Sequence, residues 1–324
     1  MRQVRREDVV AADRRIRGLV ERTPLIEARV HGVRLWLKCE CLQTGGAFKL
    51  RGATNRLLLL SDDERKRGVV AFSSGNHARG VAIAARRLGI PAIIVMPNDA
   101  PAVKVNGTRS EGAEIVFYDR ASESREVIAT DIAAKRGGIV VPSFDDERIV
   151  AGQGTVGLEI LEQLAEAGEK APARIVVPTG GGGLAAGIAL ACPDSSIVCV
   201  EPEGWDDMGR SLELGDIVPV AVNAPSTLCD ALQTPRVSPI TFGILKQRGA
   251  TAVAVGEADV ADAVRFAWRE HQLVLEPGGA VALAALLAGK LEMADGTVAI
   301  LSGGNVDPAL HARLVAENQA AEVR

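Results

Sequence analysis

The chain has 324 residues, 47% of them hydrophobic, with a formal net charge of −4 and a sequence pI near 5.7. That length suggests two domains, and the apolar fraction is ample for a packed core. No basic stripe stands out and the longest apolar windows, such as 281–288, are far too short to span a bilayer, so neither nucleic acid nor membrane is an expected partner. The basic N-terminal residues 1–8 lead into no apolar run, which excludes a secretory signal. Five cysteines, an odd number without zinc spacing, fit a reduced, cytoplasmic setting, with Cys39 and Cys41 as core residues.

In chain order, the apolar spacing predicts an amphipathic helix over 8–20 with Asp8 as its N-cap, a connection at 23–25 and a strand over 35–40. Gly45-Gly46-Ala47-Phe48-Lys49-Leu50-Arg51-Gly52-Ala53 then opens a helix running to Leu60. Ser61-Asp62-Asp63-Glu64 reads as a cap and first helical turn. Strands at 69–72, 92–96, 114–118 and 139–141 alternate with helices at 76–88, 103–111 and 122–136, the pattern of a parallel sheet covered on both faces. Helices follow at 153–168, 184–191, 258–271 and 279–287, and strands at 174–178, 197–200, 251–255 and 297–301. The expected fold class is α/β, with open, mostly parallel twisted sheets between helices. A small domain is expected at 61–145, and a large one from 1–60 plus 146–324. Sheet order is not legible.

Three stretches carry chemistry. Lys49 follows two glycines and sits between Phe48 and Leu50. Partial desolvation there lowers a lysine pKa and frees an amine for an aldehyde, unless it simply begins an ordinary helix. Gly180-Gly181-Gly182-Gly183 separates a buried strand from a helix. Bare N–H groups at a helix N-terminus make an anion site suited to phosphate, the alternative being a ligand-free turn. No Lys-Ser/Thr follows, which excludes a P-loop, and no dinucleotide fingerprint is present. Loops 73–77, 180–183 and 302–305 all leave C-terminal strand ends, which argues for one shared site. In the third stretch, Glu201 and Asp207 flank a turn and could meet at one cation, or form a solvated acidic loop.

A desolvated lysine and a phosphate site together suggest pyridoxal phosphate. Ala47 to Ala53, Ser73 to Ala78, Gly152-Gln153-Gly154-Thr155, Pro178 to Leu184, Glu276-Pro277-Gly278-Gly279-Ala280 and Ser302 to Asp307 occur in this order. With them the chain, from about residue 5 to 315, resembles the serine/threonine dehydratase and serine racemase family, the fold-type II pyridoxal-phosphate enzymes. The resemblance implies that Lys49 carries the cofactor covalently and later acts as the base at Cα. Phe48 would pack beside the cofactor, Asn76 would bond its phenolic oxygen, Gly180 to Leu184 would cradle its phosphate and Ser302 would face its pyridine nitrogen. Ser73, Ser74, Gly75, Asn76 and His77 would receive the substrate carboxylate. Arg125 would face the pocket, or lie on the surface. Ser74 would be the second acid/base group of a racemase. Glu201, the Trp205 carbonyl and Asp207 would bind Mg²⁺ or Ca²⁺.

The implied reaction is elimination of water from L-threonine or L-serine, giving a 2-oxo acid and ammonia. Serine racemisation, dehydration of 3-hydroxyaspartate and non-catalytic cofactor binding are the rivals. A homodimer is expected, and the chain's end near 324 suggests no C-terminal regulatory domain. Ala47, Ser143 and Ala231 depart from the family's usual Ser, His and Gly, which leaves the preferred side chain open.

Overall fold

The computed structural model describes residues 3–100 and 102–316. Its strands are β1 (Leu25–Val30), β2 (Val33–Lys38), β3 (Val69–Phe72), β4 (Ala92–Pro97), β5 (Glu114–Tyr118), β6 (Ile139–Val140), β7 (Arg174–Pro178), β8 (Ser196–Pro202), β9 (Thr251–Val255) and β10 (Thr297–Ile300). Four of them form a parallel sheet in the order β5-β4-β3-β6. The other six run β1-β2-β10-β7-β8-β9, parallel except for the β1–β2 hairpin. Helices cover these sheets, as the alternating pattern predicts.

Several boundaries differ from expectation for local reasons. The first helix is Arg6–Ile16 with Arg5 at the N-cap; Asp8 sits three residues in and accepts from the Arg5 N–H at 2.9 Å, so it completes the cap from inside. The connection expected at 23–25 is instead the entry to β1. That strand lies on the sheet edge with Ala28 and Val30 buried; the alternation from Ile26 to Val30 is the pattern of a half-buried strand, and it follows Thr23-Pro24 directly. His31 and Gly32, with φ of 49° and 81°, make the two-residue hairpin turn that pairs Val30 with Val33. Helix Glu147–Glu166 begins six residues earlier than expected because the Asp146 side chain accepts from the N–H groups of Arg148 and Ile149. Its glycines admit the neighbouring helix Gly183–Ala191: a Cβ on Gly157 would stand 2.8 Å from that of Ala191. Helices Asp207–Leu214, Pro239–Gln247 and Pro308–Ala316 were not expected, although Ser238-Pro239 is a recognisable cap and first position.

The helix that begins at Lys49, Lys49–Leu58, is held from two sides. Leu50, Ala53 and Leu57 share one core with the apolar residues of β3, β4 and helix Asn76–Leu88. On its other side Arg51 is fully buried. It grips both Glu40 oxygens at 2.8 Å and reaches Glu159 at 2.6 and 2.9 Å. Lys38 adds a 2.6 Å bond to Glu159. Two buried cations thus face two buried carboxylates, and the carboxylate of Glu40 is held below its usual range by Arg51 despite its burial.

Candidate active site

Lys49 is positioned by backbone stitching. Ala47 bridges Gly303, the Phe48 N–H donates to the Ser302 carbonyl, and the Gly304 N–H donates to Gly46. Ser302 in turn donates to the Gly279 carbonyl and Glu276 to that of Gly303. The lysine loop, the end of β10 and the start of helix Pro277–Leu287 therefore form one unit. Glycine is required here: a Cβ on Gly279 would collide with the Gly303 backbone.

The amine of Lys49 lies 5.0 Å from the Phe48 ring centroid and donates to the Ser143 carbonyl at 3.3 Å. Although the side chain keeps some surface open, burial pushes its pKa down to about 8, against the weaker pull of Glu276. The next residue, Phe144, packs its ring against Gly181, where any Cβ would collide with it. Gly182, with φ of 83°, caps helix Gly183–Ala191, so the four glycines do stand at a helix N-terminus. Lys49 and the glycine loop are thereby neighbours through residues 143–144.

The 73–77 loop reaches the same place. Asn76 begins helix Asn76–Leu88; its amide accepts from Asn305 at 2.8 Å and donates to Glu276 at 2.5 Å. Asn305 also holds the Gly45 carbonyl at 2.7 Å. Ser74 is half-buried at the helix entry, and Ser73 accepts from the Gly75 N–H at 3.2 Å. Ser302 is buried at the end of β10.

His77 points elsewhere than its loop suggests. Its Nε2 lies 2.8 Å from the Val141 carbonyl oxygen, so that nitrogen carries the proton and donates; Nδ1 is buried without a partner. Burial and the Lys49 charge push its pKa down to about 3, and the ring stays neutral. It props the segment whose Ser143 carbonyl meets Lys49. Arg125 lies with its guanidinium carbon 5.7 Å from the centroid of Phe72, the residue before Ser73, while Nε donates to Glu126.

Glu276, the first residue of the Glu276-Pro277-Gly278-Gly279-Ala280 motif, joins the site through Asn76. It is buried, and burial together with the Asp230 charge lifts its pKa to about 7. Glu276 is the N-cap of helix Pro277–Leu287 but makes no side-chain cap bond there; its partner Asn76 is 200 residues away, and spacing along the chain gives no signal of it.

The acidic loop folds back on its helix. Glu201 accepts from the N–H groups of Met208 and Gly209 at 2.9 and 2.8 Å, so both oxygens anchor the start of helix Asp207–Leu214. Asp207 keeps one buried oxygen without a partner. Burial raises the pKa of Glu201 to about 8 and that of Asp207 to about 7. Trp205 is fixed by its indole N–H on the Pro225 carbonyl. Among the described residues no group of three or more His, Cys, Asp or Glu side chains is arranged to hold a metal.

Residues 16–303 match the model of the family described as pyridoxal-phosphate dependent enzyme. The chain belongs to that family. It is 41% identical over 317 residues to an L-threo-3-hydroxyaspartate ammonia-lyase from Pseudomonas sp, covering 95% of this chain and 97% of that one. It is 40% identical to an L-threonine ammonia-lyase from Thermotoga maritima, covering 95% of this chain and 77% of that one. The fold matches that of maize serine racemase over 100% of both chains, with a TM-score of 0.89 and 33% identity. These are the relatives that the motifs implied, and their fold is the expected α/β type. No described helix is long and apolar enough to cross a membrane.

Proposed function

We propose that this pyridoxal-phosphate enzyme is an ammonia-lyase that removes water from L-serine or L-threonine. The observation that carries the reading is the shut-in amine of Lys49, with its lowered pKa, one residue away from the ring that packs on the glycine loop. The residues fit the cofactor: Lys49 for its aldehyde, with Phe48 beside it, the N–H groups of Gly180, Gly181, Gly182, Gly183 and Leu184 for its phosphate, and Asn76 for its phenolic oxygen. When bound, the cofactor supplies an electron-withdrawing ring that makes the Cα proton of an attached amino acid removable. The buried Ser302 would offer the ring nitrogen a hydroxyl, a weaker partner than a carboxylate, which would favour prompt loss of a β-substituent.

In this reading the Ser73–His77 loop holds the substrate carboxylate with N–H groups and hydroxyls, and His77 supports the backbone under Lys49. Arg125 flanks the pocket beyond Phe72. Lys49 takes the Cα proton, and the Cβ hydroxyl leaves as water. The resulting enamine tautomerises to an imine, which takes up water and splits into 2-oxo acid and ammonia. Ser74 is the candidate group for the opposite face, where a hydroxyl is a poor base at neutral pH, so racemisation is slow.

The test is L-serine turnover with pyruvate and D-serine measured together. Pyruvate should exceed D-serine, and Ser74→Ala should remove D-serine while sparing much of the pyruvate. Racemisation outpacing elimination would reverse the ranking. Release of no 2-oxo acid from L-serine or L-threonine would sink this choice of substrate, and release from no β-hydroxy amino acid, 3-hydroxyaspartate included, with no D-serine formed, would leave cofactor binding alone.

The same proposal includes Mg²⁺ or Ca²⁺ held by Glu201, the Trp205 carbonyl and Asp207, supported by two shut-in carboxyls and the unpartnered Asp207 oxygen. It includes a cytoplasmic setting, supported by five buried free thiols, and a homodimer, supported by the family resemblance alone. A division into 61–145 and the rest is supported by the two separate sheets, with helix Lys49–Leu58 sharing the core of the smaller one.

A further inference from the structure

One ion pair spans the two sheets at the mouth of the site. Lys104, on helix Ala102–Arg109 after β4, pairs with Asp230, which opens the short turn Asp230–Leu232 between β8 and β9. That turn belongs to the site. A Cβ on Gly180 would stand 3.3 Å from the Leu232 Cα, and one on Gly278 would stand 3.4 Å from the Ala231 Cβ. Both charges are also felt by Glu276, which Asp230 pushes toward the neutral form and Lys104 toward the ionised one. Lys104 is 20% exposed and Asp230 50%. The cation is thus confined, while its partner can turn out to water at small cost.

Of the other cations near the site, Lys49 is reserved for the chemistry, Arg79 donates to Asn305 at 2.9 Å, and Arg125 lies against Phe72, with Nε on Glu126, rather than beside the Asp230 turn. A substrate with a second carboxylate on Cβ would bring a further negative charge beside Glu276 and Asp230. Burying it without a counter-ion would cost more than binding returns.

We propose that Lys104 is the counter-ion for the Cβ carboxylate of a dicarboxylic β-hydroxy amino acid, which displaces Asp230 on binding. The inference rests on the ammonia-lyase reading and extends its substrate class. A monocarboxylic substrate leaves the Lys104–Asp230 pair closed; a dicarboxylic one exchanges one carboxylate for another, so the charge around Lys104 is conserved.

The experiment compares 2-oxo acid release from L-threo-3-hydroxyaspartate and from L-serine by the cofactor-loaded enzyme. Lys104→Met should lower the ratio of the two kcat/KM values at least tenfold, mainly through KM for the dicarboxylic substrate. Lys104→Arg should restore most of the ratio, and Asp230→Asn should raise it by freeing the cation. Calorimetry on the same proteins should find succinate bound more tightly than butyrate, with the difference lost in Lys104→Met. A ratio that does not move in Lys104→Met, or a parent enzyme that eliminates from L-serine but not from 3-hydroxyaspartate, overturns the assignment of Lys104 while the ammonia-lyase reading stands. No 2-oxo acid from either substrate overturns both.

Discussion

The Asn76 amide donates to the Glu276 carboxylate at 2.5 Å, joining the start of one helix to the start of another across the site. Asn76, the proposed partner of the cofactor's phenolic oxygen, thus has its amide N–H engaged with an acid whose pKa stands near 7. Glu276 is buried and its folded pKa is raised, so between about pH 4.5 and 7 the folded state holds a proton that the unfolded state has lost, and stability falls as pH rises through that window. Glu276→Gln should therefore raise the melting temperature of the apoenzyme above pH 7 and leave it nearly unchanged below pH 4.5. It should also remove an acid limb near pH 7 from the kcat/KM profile. A pH-independent melting difference would show that the carboxyl does not titrate in this range.

Loading with pyridoxal phosphate needs the neutral amine of Lys49. With its pKa lowered to about 8, the loading rate of the apoenzyme should climb with pH through a midpoint near 8 and level off above it. The loaded protein should be yellow, borohydride should fix the cofactor on Lys49, and Lys49→Ala should abolish elimination. A midpoint above 10 in stopped-flow absorbance would mean the amine is not desolvated.

Arg51 sits two residues beyond Lys49 and carries the buried charge network. Arg51→Met would leave Glu40 without its bidentate partner and Glu159 with Lys38 alone. A loss of about 3–5 kcal/mol is expected from denaturant unfolding, as for other broken buried pairs. Arg51→Lys should fall between, since an ammonium cannot make the fork. Parental stability in Arg51→Met would show that the network is not structural.

Chelator should lower the melting temperature or the activity, and Mg²⁺ or Ca²⁺ should restore it, because a ligand of the folded state stabilises by mass action. Glu201→Ala should erase that response. Since Glu201 also accepts from the Met208 and Gly209 N–H groups, Glu201→Gln is the cleaner variant. Insensitivity of the parent protein to chelator would leave Glu201 as a helix anchor only.

The local chemistry of the site was written in the chain. The desolvating flanks of Lys49, the four glycines before a helix, and the asparagine and serine at strand ends act through backbone conformation and immediate neighbours, which short-range sequence specifies. So did the strand–helix alternation that produced the four-stranded sheet. The rest depended on contacts between residues far apart in sequence. The alternation of β1 marks a strand but not its antiparallel pairing with β2 at the sheet edge, and the order of β10 between β2 and β7 rests on hydrogen bonds across more than 100 residues. The direction of the His77 ring was decided within the four-stranded sheet's own unit, by the Val141 carbonyl after β6, while the placing of Glu276 against Asn76 and the meeting of Lys104 with Asp230 were decided by packing of the two sheets. A side chain's partner and its pKa are set by what tertiary structure brings within a few ångströms, and spacing along the chain carries no record of that.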